Sequence, residues 1–329
     1  MLNNVNRAGW YSCVVNLLNK ISLLTLNRAN KMISGILPMN GYTDTSISLS
    51  RLYSSNGIKK AYKKRAIKRL LVDAMTHDEF ELVYQPQTEM SGLNVIGVEA
   101  LLRWNSLEFG MISPVTFIPA AEEAGIIQDL GDMVIEKACH QAAAWKAKYN
   151  SNLRMAVNVS YLQLYGNNIV EHVESCISKY AIDKQALEIE LTESTLIKDK
   201  SRVINILNQF REMGVRTAMD DFGTGYSSLS YLASMPFDMI KIDKSFIDML
   251  GKSSSNTVIT ETIIQMSKKL NMEVLAEGVE TEIQRNILKQ TECDLLQGNL
   301  ISHPVAAEDL PKVTGMQLSE STFDSSKNN

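Results

Sequence analysis

A chain of 329 residues, 45% hydrophobic and 21% charged, can bury a sizeable core, and its composition excludes a fibrous or wholly disordered protein. This length suits two modest domains or one large one, including a single α/β barrel of about 250 residues. The net charge of −4 conceals a division: residues 1–70 hold 12 Lys/Arg and one acid, Asp44, for a net of +11, while residues 71–329 hold 21 Lys/Arg and 36 acids, for −15.

The chain opens with AGWYSCVVNLLNKISLLTL (8–26), which Asn16, Asn19 and Lys20 interrupt. It therefore lacks the run of about 20 apolar residues that spans a bilayer, and no small-residue cleavage site marks it as a secretory signal. An amphipathic helix lying on a partner or a membrane surface fits better. Residues 40–57, rich in Ser, Thr, Asn and Gly, read as a linker. The basic run KKAYKKRAIKR (59–69) contains one aromatic, Tyr62, so it reads as a solvated helix face; no DNA is expected as a partner. Residues 1–70 thus form a basic segment with openings for peripheral-membrane or regulatory-protein contact. Cys13, Cys139, Cys176 and Cys293 are scattered and His77, His140, His172 and His303 isolated, which suggests reduced cytoplasmic thiols and excludes a zinc motif.

From Phe80 onward, short apolar runs alternate with helical periodicity. The runs are 80–86, 95–104, 153–160, 187–194, 215–221, 238–243, 272–278 and 293–298. Apolar residues recur at helical spacing over 134–149, 202–214 and 256–271, and Gly214 supplies a helix stop. Eight strands alternating with helices predict a modified TIM-type (β/α)8 barrel. About eight residues, including Ser91-Gly92, separate the first two strands. That gap is too short for a crossover helix and predicts one antiparallel strand.

In such a barrel, chemistry gathers at the C-terminal ends of the strands. Those ends carry Glu99, Asn158, Glu190, Asp220, Asp221, Lys241, Glu277 and Gln297. Five carboxylates converging with a single lysine demand cations, because an unpaired buried carboxylate is costly. The bland reading, helix capping, needs the same coincidence on seven strands. An all-oxygen ligand set selects magnesium or manganese over zinc. Asp220 and Asp221 are neighbours, and a strand sends neighbours to opposite faces. The glycines that follow, Gly223 and Gly225, are expected to free the backbone so that both acids turn to one site.

The motifs EALLRW (99–104), NVS (158–160), ELTES (190–194), DDFGTGYSSL (220–229), KID (241–243), AEGVE (276–280) and QG (297–298), with YQP (84–86), together resemble the EAL-domain family of cyclic di-GMP phosphodiesterases. The resemblance covers roughly residues 71–312 and leaves 313–329 as a polar tail expected to be disordered. It implies hydrolysis of cyclic di-GMP to linear pGpG with two Mg²⁺ or Mn²⁺ ions per site, a homodimer, and a cytoplasmic or membrane-peripheral location. Carried across by motif, Glu99, Asn158, Glu190 and Asp220 match ligands of one metal; Asp220, Asp221 and Glu277 match ligands of the other. Lys241 matches a lysine that assists the attacking water. Gln85, Leu101, Arg103 and Gln297 match substrate contacts, with Gln297 at the rim, and Glu193 with Ser227 matches a pair that shapes the loop after Asp221. Asn299, Ile301 and His303 depart from the pattern. The alternative they suggest is a catalytically weak cyclic di-GMP receptor or protein-interaction module.

Overall fold

The structure, a computed structural model, describes residues 67–91, 94–166, 169–193, 195, 199–224, 232, 234–252 and 254–317. The basic and apolar stretches read before residue 67, Gly225, Ser227 and the end of the polar tail lie outside the described residues.

Nine strands form one sheet: β1 (Phe80–Glu89), β2 (Val95–Ser106), β3 (Gly110–Ile112), β4 (Arg154–Asn158), β5 (Leu187–Thr192), β6 (Arg216–Phe222), β7 (Met239–Ile242), β8 (Glu273–Ala276) and β9 (Leu295–Gln297). Pairing of β1 with both β9 and β2 closes eight of them into a barrel, and β3 extends β2 as a hairpin. β1 is antiparallel to both neighbours, while β2 and β4 through β9 run parallel. The eight predicted strands and the one reversed strand are therefore present. β1 runs to Glu89, three residues beyond its predicted end, and shortens the hairpin connection further.

The helices pack outside the barrel. Helix Ile127–Tyr149 begins seven residues before the predicted periodicity, and helix Lys200–Met213 ends at Gly214, whose φ of 89° closes the last turn. Its buried face, Val203, Ile206, Leu207 and Phe210, repeats at i, i+3, i+4 and i+7 and meets the main core around Ile189 and Leu191. Each such fully buried side chain contributes roughly 1.5–3 kcal/mol.

A second core lies at the β1–β2 hairpin. Phe80, Trp104 and Phe117 pack ring against ring, joined by Ile67, Leu71 and Ala74 from the helical segment 67–76. Ile67 is only 1% exposed, so a boundary at residue 70 cuts through a packed helix. At the other end, helix Leu310–Thr314 closes on Gly315, so a tail boundary at residue 313 falls inside a helix as well.

Candidate active site

Residues two apart on a strand share a face, and the barrel interior is filled in layers. Its floor is ionic: Glu188, fully buried, meets Arg216 Nε at 3.2 Å and Arg154 Nε at 3.5 Å, and both arginines also pair with Glu273. Above it sits a small apolar cluster, Ala218, Met239, Leu275 and Leu295. Two residues further along from each come Asp220, Lys241, Glu277 (just past the end of β8) and Gln297. The barrel's stagger sets Glu99, Asn158 and Glu190 beside them, with Glu99 paired to Ala156 and Asn158 to Glu190.

Asp220 and Asp221 reach one site through a bulge. β6 pairs Met219 with Ile240 and then Phe222 with Ile242, so two aspartates stand opposite one residue, Lys241. Asp221 takes up the extra residue in the left-handed region, at φ 55°, a conformation aspartate tolerates better than most side chains. Its N–H donates to Asp220 Oδ1 at 2.9 Å. The expected turn at Gly223 is thus made two residues earlier, by Asp221 itself. Gly223 (φ 98°) does different work: a β-carbon there would meet the Phe246 ring at 2.6 Å.

The carboxylates form two groups that share Asp220. Oxygens of Glu99, Glu190 and Asp220 lie within 4.8 Å of one another, and so do those of Asp220, Asp221 and Glu277. Lys241 Nζ sits among them, 2.8 Å from Glu190 and Glu277, 3.2 Å from Asp220 and 3.6 Å from Glu99, with no solvent exposure. Burial opposes charge on this lysine, but the surrounding acids outweigh it and hold the ammonium well above its ordinary range. Burial also raises Glu190 strongly, Glu277 to about 8, and Asp221, which Asp220 crowds as well, to about 6. Glu99 goes the other way. Burial would raise it, yet Lys241 and hydrogen bonds from Gln297 and Asn158 keep it below the usual carboxylate range.

Two amides cap Glu99: Asn158 Nδ2 donates to Oε1 at 2.6 Å and Gln297 Nε2 to Oε2 at 2.5 Å. Gln297, expected at the rim, is buried to 3% exposure, and its amide also joins Gln85 and Gln87. Glu190 Oε1 is buried without a partner among the described residues. An orphaned carboxylate oxygen on a member of one acid group fits a divalent cation, and no cysteine or histidine joins either group.

Glu193 follows β5 and is nearly buried. Its Oε2 accepts the Gly223 N–H at 3.0 Å, which ties it to the loop after β6, although Ser227 lies outside the described residues. Leu101, Arg103 and Asn158 line a cavity of about 560 Å³ that continues past Pro114, Ile118 and Glu122. Gln85 pairs with Glu99 across β1 and β2. All the predicted site residues therefore gather at one end of the barrel.

A family model described as the EAL domain matches residues 68–304. The chain belongs to the EAL-domain family. Among its relatives, the bifunctional diguanylate cyclase/cyclic di-GMP phosphodiesterase MucR of Pseudomonas aeruginosa is 39% identical over 240 residues, 73% of this chain and 35% of MucR. The cyclic di-GMP phosphodiesterase NbdA of the same organism is 36% identical over 256 residues, 78% of this chain and 33% of NbdA. The chain thus spans about a third of the length of these relatives. A solved structure of the MucR phosphodiesterase in complex with c-di-GMP superposes with a TM-score of 0.72 at 38% identity, covering 74% of this chain and 99% of that one.

Sequence reasoning missed the ionic floor of this EAL domain, though the spacing of Glu188–Glu190 and of Arg216–Ala218–Asp220 carried the signal. It also missed Gln87, which lies one residue past the predicted end of the first strand. No helix of the described residues is long and apolar enough to cross a membrane.

Proposed function

We propose that the chain hydrolyses cyclic di-GMP to linear pGpG with two Mg²⁺ or Mn²⁺ ions. The observation that carries this reading is the pair of three-carboxylate groups sharing Asp220. The phosphodiesterase relatives and the c-di-GMP complex of a similar structure support the choice of substrate.

Glu99, Asn158, Glu190 and Asp220 would hold one cation, and Asp220, Asp221 and Glu277 the other. Bound there, the pair would lower the pKa of a water and offset charge on a phosphodiester oxygen. Lys241 supplies a fixed positive charge beside the reacting phosphate and a donor to orient the attacking oxygen. Glu193 keeps the loop that begins at Gly223 in place behind Asp221. Arg103 offers a planar fork to a phosphate or base edge, Leu101 an apolar wall, and the cavity beyond them room for a base. Gln85 lies within reach of the same mouth. Gln297, with its amide engaged, serves Glu99 more directly than it serves substrate. A homodimer, and a regulatory or localising role for the basic N-terminal segment, belong to the same proposal.

A turnover assay tests it. Purified protein with Mg²⁺ or Mn²⁺ should convert cyclic di-GMP to pGpG, with Ca²⁺ inhibiting and exhaustive chelation abolishing the reaction. Tight binding of cyclic di-GMP without turnover would favour the receptor alternative raised by Asn299, Ile301 and His303.

A further inference from the structure

Gln87 is fully buried on β1 and has no part in the roles assigned above. Its Nε2 donates to Gln297 Oε1 at 3.1 Å. Gln297 then directs its own Nε2 to Glu99 Oε2 at 2.5 Å and to Gln85 Oε1 at 3.1 Å. An amide has one accepting end and one donating end, so whatever holds its oxygen decides where its nitrogen points. Released from Gln87, Gln297 could turn over and set its oxygen against the Glu99 carboxylate, an acceptor facing an acceptor.

Gly97, two residues before Glu99 on the neighbouring strand, leaves room for this side chain; a β-carbon there would lie 3.0 Å from Gln87 Oε1. That Oε1 is buried without a partner among the described residues. Stability alone would be served as well by an apolar side chain of similar size, which leaves no oxygen unsatisfied. The donor end is what the site uses.

We propose that Gln87 is a positioning residue for the metal centre, acting through Gln297 to keep Glu99 aimed as a ligand. This rests on the metal-dependent reading of the site given above.

Calorimetric titration of metal-free protein with Mn²⁺ tests it without hydrolysis. Gln87→Met should raise the Kd for Mn²⁺ about tenfold, the lower end of the loss expected when a group behind a metal ligand is removed. Gln297→Met should raise it at least as much. The double variant should bind no more weakly than Gln297→Met alone, because a contact acting through one partner is not lost twice. Circular dichroism and thermal melting check folding, and Gln87→Leu carries the comparison should Gln87→Met fail to fold. Wild-type affinity in a folded Gln87 variant, or losses that multiply in the double variant, would overturn the inference and leave the phosphodiesterase reading intact. Absence of Mn²⁺ binding by the wild-type protein would overturn both.

Discussion

Lys241 Nζ lies 2.8 Å from Glu190 Oε2, and neither side chain is exposed to solvent. The ammonium also touches both three-carboxylate groups, so it offsets part of their charge from a position where a divalent cation would seek the same oxygens. Removing it should therefore separate metal binding from catalysis. Lys241→Met should lose turnover yet bind Mn²⁺ about tenfold more tightly, a gain of about 1.4 kcal/mol. Its metal-free form should melt below the wild type, because the buried acids lose their counter-charge. Calorimetry and thermal melting read both effects. Mn²⁺ affinity at or below the wild-type value would show that the lysine does not compete with metal.

Ligand and substrate contacts should respond differently to truncation. Glu99→Ala and Asp220→Ala each remove an anion from the carboxylate groups and should abolish turnover. Arg103, whose Nη1 donates to the Leu102 carbonyl at 3.0 Å, lines the cavity and touches neither group. Arg103→Ala should raise KM about tenfold with a smaller effect on kcat, the size of a lost charged hydrogen bond. Steady-state kinetics of the three variants decides it, and near-normal turnover by Glu99→Ala would refute the ligand assignment.

The bond from Gly223 N–H to Glu193 Oε2 fastens the loop that starts beside Asp221. Glu193→Ala should lower turnover and increase the metal concentration needed for half-maximal rate and, if the protein dimerises as proposed, change its association state in sedimentation. Glu193→Gln keeps an accepting oxygen and should recover most of the activity. Gly223→Ala should do more harm than Glu193→Ala, since its backbone is left-handed and the Phe246 ring fills the space. Unaltered metal dependence, rate and association in Glu193→Ala would leave the loop a passive connection.

Acidity should affect the metal-free protein in a specific direction. Glu277 titrates near 8 in the fold against an ordinary value of 4.5. Between those values the folded chain keeps a proton that the unfolded chain has released. The stabilisation is complete below about 4.5 and is lost as pH rises through about 8. The metal-free protein should therefore melt at a lower temperature at pH 8 than at pH 6. Saturating Mg²⁺, which binds the ionised acids, should remove or reverse the difference. A metal-free Tm that rises across this interval would contradict the burial argument.

Truncation tests where the barrel begins. A chain starting at Ala66 keeps Ile67, Leu71 and Ala74 on the Phe80–Trp104–Phe117 cluster and should remain soluble and active at saturating substrate. A chain starting at Val72 loses two fully buried aliphatic side chains, each worth about 2–5 kcal/mol when truncated in a core, and should melt much lower or fail to fold. Equal melting temperatures for the two would show that the helical segment is dispensable.

Much of this molecule was legible before any coordinates. The eight strands and the reversed β1 followed from apolar spacing and one short connection, the strand ends brought forward the acids and the lysine, and the family motifs added Glu193. Features that depend on registration between strands were not legible. The bulge at Asp220–Asp221 exists because β6 and β7 pair two residues against one, which neither strand reveals separately. The burial of Gln297 follows from its contacts with Glu99, Gln85 and Gln87, from strands far apart in the chain. Hairpin strand β3 is three residues long, too short to show a period, and Ile67 sat inside a basic run whose charges hid its apolar face.

The reversal of β1 also determines where the chain is threaded into the barrel. A closed sheet of parallel strands receives its first strand at the floor, opposite the reactive end. Here Phe80 pairs with Trp104, next to Arg103, so the polypeptide enters at the rim and reaches the floor only at Glu89. Helical segment 67–76 is the last stretch of chain before that entry, and it packs against the same Trp104. A pull or twist on the backbone at Ile67 would therefore reach the Phe80–Trp104 end of the barrel first, the end opposite the ion-paired floor of Arg154, Glu188, Arg216 and Glu273.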